Sequence, residues 1–397
     1  MTRYCTRCLY PSSSATLTTF DSDGVCSGCR VMAEPVDWAE RWRWLVELVE
    51  QYRNPNGYDI LIPVSGGKDS YYQTHVAVSL GLKPLLVTYH GNNYTSEGED
   101  NLRRMREVFD CDHIIVRPSQ DTLVKMNRIG FRLQGDMNWH AHCGIFTAPI
   151  QAAVRYRVPL MLWGEHGFLN LGGMFTLNDM VEFTAKFRLE HGLRGFDWHD
   201  FTDEGLAKRG RPELAEGLTA KDLQWAQYPS DDEIDAAGVR GIYLGNFVNW
   251  DGNRNAALAQ ERYNWQPSRL GFERTYRRFS NLDDMHENGI HDWLKFVKFG
   301  YGRATDHGSK DIRAGHMTRE QGIEMVRRYD AVKPRRDLAR WLDYVGMTEE
   351  EFDQTADTFR DPRVWTVKGG EWWKENIWGE PSAYGPVSLI AASRYAR

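Results

Sequence analysis

Residues 60–70 limit the possible folds of this chain more than any other segment. An apolar run over residues 58–64 leads into a Ser-Gly-Gly turn at 65–67, and a predicted helix begins at Lys68. Such a run is typical of a buried parallel strand. The two glycines let backbone N–H groups approach an anion, and the helix N-terminus adds partial positive charge. The segment therefore predicts a strand–loop–helix unit that binds phosphate groups.

The turn differs from a Walker A loop, because its glycine spacing is different and Asp69 stands where Ser or Thr should follow the lysine. An ordinary tight turn without a ligand is the alternative interpretation. Hydroxyl, ammonium and backbone donors within one short loop favour phosphate binding instead. The candidate binding residues are Ser65, Gly66, Gly67, Lys68, Asp69 and Ser70.

Apolar strands and amphipathic helices alternate after this loop. Strands are predicted at 58–64, 84–89, 113–117 and 159–163, and helices at 68–80, 97–109, 120–133 and 143–156. This alternation predicts a parallel sheet with helices on both faces. Ligands of such sheets bind beyond the carboxyl ends of the strands. That edge is expected to carry Tyr89, His90, Gly164 and Glu165 beside the loop.

The rest of the chain has a weaker pattern. A strand is predicted over 242–247, and helices at 253–264, 283–299, 318–330, 335–344 and from 348. The predicted fold is α/β, a parallel-sheet nucleotide-binding domain with an N-terminal zinc-binding module and a mainly helical C-terminal region. The predicted domains are 1–35 (zinc module), 36–166 (nucleotide binding), 167–235 (insertion or lid), 236–330 (completion of the site) and 331–397 (helical region).

The cysteines predict a metal site near the N-terminus. Two CxxC pairs are formed by Cys5, Cys8, Cys26 and Cys29. In a cytosolic chain this spacing predicts a four-thiolate structural zinc site rather than disulfides. A catalytic zinc is not expected there, because all four positions are filled. Cys111 and Cys143 remain, and we expect both to be buried.

Charge and hydropathy argue against several functional classes. The formal net charge of −6 disfavours a general nucleic-acid surface. No apolar run approaches the length of a membrane-spanning helix, and the N-terminus lacks the apolar core of a signal peptide. A cytoplasmic protein is therefore expected.

Residues 294–307 are the second informative run. Lys298 and Arg303 lie beside Gly300 and Gly302, and fixed cations of this kind bind pyrophosphate or an anionic sugar nucleotide. The alternative is a solvated helix end whose positive charges favour the helix C-terminus. The density of Gly, Arg, Asp and His in this run favours the functional interpretation.

Two carboxylates at the predicted sheet edge are candidate magnesium ligands. Asp69 lies within the loop, and Glu165 follows the fourth predicted strand. Mg²⁺ keeps several waters and bridges phosphate oxygens through one or two carboxylates. The alternative for Glu165 is a solvated loop residue.

These motifs together resemble the N-acetyl sugar amidotransferases. That family belongs to the PP-loop ATP pyrophosphatases, whose fold is of the adenine nucleotide alpha hydrolase type. The resemblance rests on the CxxC pairs, the loop at 65–70, Trp163-Gly164-Glu165 and above all residues 295–313. It spans residues 1–330, although 167–235 contribute little. Members convert an acetamido group to an acetamidino group during lipopolysaccharide O-antigen and nonulosonic acid synthesis.

The resemblance implies an ATP-dependent ligase that forms a C–N bond and releases AMP and pyrophosphate. Its substrate would be an N-acetyl sugar, nucleotide-linked and activated as an O-adenylyl imidate. Lys68 and Asp69 would act at the phosphates, and Lys298 or Arg303 would stabilise the departing pyrophosphate. The implied substrate-binding residues are His142, His166, Asp306 and His307. The implied cofactors are ATP, Mg²⁺ and structural Zn²⁺.

The source of ammonia is expected to be another protein. A glutaminase needs an activated cysteine and typically a domain of its own, whereas Cys143 lies within the predicted nucleotide domain. The family draws ammonia from a separate glutaminase. A glutaminase subunit, with a channelling barrel protein, is therefore the expected partner, and membrane and nucleic-acid partners are not expected.

Two other functions remain open. A PP-loop enzyme that thiolates tRNA would share the adenylation step, and Cys143 at a helix start would carry its sulfur. Such enzymes usually need more cysteines, and the acidic charge disfavours tRNA. A non-catalytic module that binds nucleotide and zinc is the second alternative. His140 and His142 near Cys143 suggest another metal site, but without a fourth ligand in reach, substrate-pocket or structural roles are predicted.

Overall fold

The computed structural model describes residues 2–167, 172–279 and 285–389. Its central strands are β1 Ile60–Pro63, β2 Pro84–Tyr89, β3 Asp112–Val116, β4 Leu160–Trp163 and β5 Arg240–Tyr243. They form one parallel sheet in the order β3-β2-β1-β4-β5. The predicted parallel sheet is confirmed. Strand β5 is shorter than predicted, because residues 244–246 form a 3₁₀ turn.

The helices of the sheet domain follow the predicted alternation. They are α1 Ser27–Val31, α2 Trp38–Glu50, α3 Lys68–Ser79, α4 Ser96–Phe109, α5 Gln120–Gln134 and α6 Trp139–Tyr156. Helix α6 begins earlier than its predicted start at 143. Its first turns therefore carry His140 and His142 as well as Cys143.

Helices cover both faces of the sheet, because its central strand is apolar on both sides. Ile60 and Ile62 pack into a buried cluster with side chains of α2, α3 and α4. Leu61 points to the opposite face and packs with Ile150 and Ala153 of α6. This two-sided burial leaves the strand ends as the exposed edge of the sheet.

Residues 172–239 form short helices packed on the outside of α5 and α6. The α-helices among them are α7 Ala185–Phe187, α8 Asp203–Lys208 and α9 Asp231–Ala237. Phe201, Leu206 and Leu214 are buried against Met126 and Trp139 of α5 and α6. These contacts fix much of the segment against the sheet domain.

Among the described residues, six further α-helices follow the central sheet. They are α10 Gly252–Tyr263, α11 Asn288–Phe299, α12 Arg303–Arg313, α13 Arg319–Tyr329, α14 Arg335–Val345 and α15 Glu349–Asp357. Thr318 and Thr348 cap α13 and α15 through capping boxes, as predicted. The predicted start of α11 at 283 lies outside the described residues. In the described part of the chain, every helix is too short or too polar to cross a membrane.

The C-terminal region is mainly helical, as predicted, and it also contains a small sheet that the sequence pattern did not show. Strands β6 Thr366–Lys368, β7 Glu371–Lys374 and β8 Ser382–Pro386 are antiparallel. Gly369 and Gly370 join β6 to β7 with φ of +58° and +78°, as tight hairpins require. Strands this short show too few alternating positions to reveal the pattern.

The N-terminal module packs against the helical region. Leu9 fills the space beside two glycines, since a Cβ on Gly308 or Gly322 would lie 2.5 or 2.9 Å from its side chain. The Tyr10 hydroxyl donates to Asp306 at 2.5 Å. The module is therefore joined to α12 and α13.

Candidate nucleotide and substrate site

A cavity of 270 Å³ lies at the carboxyl ends of β1, β2 and β4. Parallel sheets of this kind bind their ligands at this edge. Apolar side chains such as Tyr94 and Trp163 form much of its wall. The predicted site residues that line it are Ser65, Asp69, Ser70, Tyr89, His142, Gly164 and Glu165. An apolar wall with a few converging polar groups suits a small organic ligand.

A second cavity, of 510 Å³, shares Glu165 with the first. Its wall is charged and includes Asp251, Arg277, Lys310 and Asp311. An apolar compartment and a charged compartment therefore lie on either side of one carboxylate. For clarity we call them the apolar cavity and the charged cavity.

The loop between β1 and α3 requires glycine at one position. Gly66 has a φ of +87°, and a Cβ there would lie 2.8 Å from the backbone of Leu102. The Ser65 N–H donates to Ser70 Oγ at 2.9 Å, and the Trp265 indole donates to the Gly66 carbonyl at 3.0 Å. These contacts hold the loop tightly against α4 at the start of α3.

Lys68 lies behind the cavity wall rather than in it. Only 1% of its side chain is exposed, and its ammonium contacts Asp69 Oδ2 at 2.5 Å. Asn255 donates to the other Asp69 oxygen at 2.9 Å. The charge of the lysine is thus offset by the carboxylate of the loop, and Asp69 is held where it lines the apolar cavity.

Two cations that the sequence analysis missed line the charged cavity. Lys310 Nζ donates to Glu165 Oε1 at 2.7 Å. Arg277 pairs with Asp311, and a Cβ on Gly252 would lie 3.8 Å from Lys68 Nζ and 3.9 Å from Arg277. Two sequence features pointed to these cations: the cluster of basic residues at 274–278, and the position of Lys310 about one helical turn after the run at 294–307.

Lys298 and Arg303 do not line the apolar or the charged cavity, and their contact with pyrophosphate stays a prediction. Lys298 donates to the Gly135 carbonyl at 3.0 Å, and burial lowers the pKa of this lysine to about 8. Arg303 donates to Asp292 at 2.8 Å and to Asp306 at 3.4 Å. Both cations therefore hold together parts of the fold that lie away from the two cavities.

His90 and His166 do not line the apolar or the charged cavity. His90 stacks on Tyr94 with ring centres 4.0 Å apart and pairs with Glu99. His166 packs among aromatic rings that include Phe187 and Tyr243, and burial lowers its pKa to about 4. Both rings are at most 3% exposed. The nucleotide contact of His90 and the substrate contact of His166 stay predictions.

Asp306 and His307 are also buried on α12. Asp306 accepts from Tyr10 and pairs with Lys295, and its predicted substrate role stays a prediction. His307 Nδ1 lies 2.7 Å from Thr275 Oγ1. Burial, together with nearby cations that include Arg277, lowers the pKa of His307 well below its usual range. This ring is 2% exposed and supports the charged cavity from behind.

The four N-terminal cysteines form one cluster, whose Sγ atoms all lie within 4.8 Å of one another. Backbone N–H groups of Cys8 and Cys26 point at Cys5 Sγ, at 3.4 and 3.3 Å. Arg313 donates to the sulfurs of Cys8, Cys26 and Cys29 at 3.3–3.5 Å. These donors suit thiolates, because four thiolates around Zn²⁺ carry a net negative charge. The cluster is consistent with the predicted structural zinc.

The comparisons with known proteins agree with the resemblance inferred from the motifs. Residues 273–377 match the family described as "LPS biosynthesis protein WbpG-like, C-terminal domain". The chain carries a WbpG-like C-terminal domain. This domain supplies Arg277, Lys310 and Asp311 to the charged cavity and Arg313 to the cysteine cluster.

Other comparisons add less. NMN synthetase from Francisella tularensis is a similar solved structure, with 18% sequence identity and a TM-score of 0.25. The similarity covers 58% of this chain and 97% of that protein. The curated proteins give no match.

Proposed function

We propose that this protein is an ATP-dependent amidotransferase that converts an acetamido group of an N-acetyl sugar to an acetamidino group. ATP would be cleaved to AMP and pyrophosphate, and the sugar would carry a nucleotide. Synthesis of lipopolysaccharide is the setting, since the C-terminal domain is WbpG-like.

One observation supports this proposal above the others. Lys310, which belongs to the WbpG-like domain, pairs at 2.7 Å with Glu165, which follows β4 beside the glycine loop. The element typical of nucleotide binding and the domain typical of the sugar pathway therefore meet at one carboxylate. In the proposal, the apolar cavity takes the adenosine part of ATP and the charged cavity takes anionic groups.

The chemistry requires activation of a poor electrophile. An amide carbonyl does not exchange its oxygen for nitrogen unaided, whereas an adenylated oxygen leaves as AMP. The sugar amide oxygen attacks the α-phosphate and pyrophosphate departs, and then ammonia attacks the imidate carbon. Arg277 and Lys310 would offset the negative charge, which is catalysis by positioning and electrostatics.

Two carboxylates fit the magnesium that such a reaction uses. Asp69 and Glu165 both line the apolar cavity, and each has a lysine partner. Hard carboxylate oxygens beside a phosphate site are the ligands that Mg²⁺ prefers. When bound, the ion would neutralise phosphate oxygens, and the two carboxylates would hold it.

A separate glutaminase as ammonia source agrees with the cysteines. All six cysteines are described, and four form the N-terminal cluster. Burial raises the pKa of Cys143 to about 12 and that of Cys111 to about 11. Neither is an activated thiol of the kind that a glutaminase needs. The same burial disfavours tRNA thiolation, because a sulfur carrier must be accessible as a thiolate.

The test is product analysis with ammonium chloride as the nitrogen donor. The purified protein is incubated with ATP, Mg²⁺ and a panel of nucleotide-linked N-acetyl sugars, and AMP, pyrophosphate and sugar masses are measured. The proposal predicts AMP release that depends on one sugar, whose mass falls by the difference between oxygen and NH. AMP formation with tRNA and a sulfur donor, without a sugar requirement, would support thiolation instead.

A further inference from the structure

Three side chains from distant parts of the sequence converge at one end of the apolar cavity. Asp136 lies between α5 and α6, His142 lies on the first turns of α6, and His291 lies on α11. One ligand-type atom from each, a carboxylate oxygen and two imidazole nitrogens, lies within 4.8 Å of the others. His142 lines the cavity, so the cluster borders the candidate site.

The distances between the imidazole nitrogens and the carboxylate oxygens lie close to the spacing of two ligands on one ion. His142 Nε2 and Asp136 Oδ2 are 3.6 Å apart, which is too long for a hydrogen bond. His291 Nδ1 and Asp136 Oδ1 are 2.9 Å apart, within hydrogen-bond distance. Two ligand atoms of one tetrahedral ion, each about 2.0–2.2 Å from the ion, are separated by a distance that falls between these two values. One carboxylate thus presents a different oxygen to each imidazole.

The surroundings orient the carboxylate and leave one direction open. The Asn138 N–H donates to Asp136 Oδ1 at 3.0 Å, as outer-shell donors do at metal-binding carboxylates. The three side chains are 13%, 26% and 18% exposed for Asp136, His142 and His291. The most exposed of them is the one that lines the cavity. Three protein ligands with an open side are the arrangement of catalytic rather than structural zinc sites.

We propose that Asp136, His142 and His291 bind a divalent transition-metal ion of the zinc class, with its open coordination position toward the apolar cavity. Two imidazoles and one carboxylate are the donor set that such ions accept, whereas Mg²⁺ and Ca²⁺ prefer oxygen alone. This site is distinct from the cysteine cluster. It does not depend on the proposed reaction.

The positive charge of Lys298 disfavours binding of a metal ion at this site. Lys298 donates to the carbonyl of Gly135, directly before Asp136, and is buried beside it. The positive charge weakens binding relative to a site without it. Binding weaker than that of the four-thiolate cluster is therefore expected, and a mild chelator should empty this site first.

The experiment is metal analysis of the full-length protein. Wild-type protein is dialysed against Zn²⁺ and then against metal-free buffer, and zinc per chain is measured by elemental analysis. Wild type should retain two ions, and the variants Asp136→Asn and His291→Gln should each retain one. His199→Gln, an exposed histidine outside the cluster, is the matched control and should retain two.

A second measurement uses wild-type protein alone, in case the variants fold poorly. Co²⁺ is added to protein whose four cysteines already hold zinc. The proposal predicts one equivalent with visible d–d absorption and no thiolate charge-transfer band. One ion per chain in wild type would overturn the proposal, because only the cysteine cluster would then hold metal. A second ion that both variants retain would also overturn it and would show an adventitious ion only. A second ion with thiolate absorption would overturn it as well.

Discussion

At the scale of single residues, the glycine loop allows a sharp comparison between neighbours. Gly66 has a positive φ and lies against the Leu102 backbone, whereas Gly67 has a φ of −70° with 3.4 Å to the nearest side-chain atom. Gly66→Ala should cost at least about 2 kcal/mol of unfolding free energy, because left-handed backbone and steric contact add. Gly67→Ala is the control and should unfold near the wild-type denaturant midpoint. Equal midpoints for both variants would contradict this loop geometry.

Lys310 is the residue that most directly tests the charged cavity. Lys310→Met removes the partner of Glu165 and one positive charge, and we expect about a hundredfold loss of kcat/KM for AMP release. Lys208→Met removes a surface lysine paired with Glu204 and serves as the matched control. Steady-state kinetics with both variants make the comparison. Full activity of Lys310→Met would exclude this lysine from the reaction.

The buried carboxyl group of Glu287 should make the free energy of unfolding depend on pH. Complete burial raises the pKa of Glu287 to about 8, and its Oε2 has no hydrogen-bond partner among the described residues. The folded protein therefore holds a proton that the unfolded chain releases near its ordinary pKa of about 4.3. The contribution of Glu287 to the free energy of unfolding is fully present below the unfolded pKa. It falls by about 1.4 kcal/mol for each pH unit as the pH rises toward the folded pKa.

Chemical unfolding at several pH values measures this effect. Glu287→Gln keeps an acceptor for Asn93 but has no titrating group. Its free energy of unfolding should therefore vary less than that of wild type between roughly pH 5 and 8, the range between the unfolded and folded pKa values of Glu287. Glu204→Gln, at an exposed position, is the control and should keep the wild-type slope. Identical slopes for Glu287→Gln and wild type would show that Glu287 is ionised in the fold.

At the scale of elements, helix α12 connects the cysteine cluster with the charged cavity. Its residue Lys310 contacts Glu165, and Arg313 contacts three cysteine sulfurs. Removal of zinc by a chelator should loosen this helix, because Arg313 loses the thiolates that hold it. Hydrogen exchange in residues 303–313 should rise, while exchange in α15 should stay unchanged. Unchanged protection of α12 would mean that the cluster does not support the site.

The elements also show which features a sequence reveals. The strands β1, β2 and β4 were predictable because they are nearly continuous apolar runs, and β3 because of its Ile114-Ile115-Val116 segment. The capping boxes at Thr318 and Thr348 carry their own local chemistry, so those helix starts were predictable too. The hairpin at Gly369-Gly370 was missed, because neither flanking strand is long enough to show its period.

At the scale of the whole molecule, the site residues divide by how far apart they lie in the sequence. The loop at 65–70, Tyr89 and Glu165 were predictable, because the carboxyl ends of parallel strands must meet. Lys310 and His291 reach the sheet edge only through packing of the WbpG-like domain. No local pattern in the sequence shows that packing. Lys298 and Arg303 had the expected chemistry, but Lys298 donates to the Gly135 carbonyl and Arg303 pairs with Asp292, away from both cavities.

The central claim is that the sugar amide oxygen is adenylated before nitrogen replaces it. We would incubate the protein with ATP, ammonium chloride and an N-acetyl sugar nucleotide that carries a heavy-oxygen label in its acetamido group. The label should appear in the phosphate of AMP as the amidine forms. Unlabelled AMP, with the label kept in the sugar, would contradict adenylation of the amide oxygen.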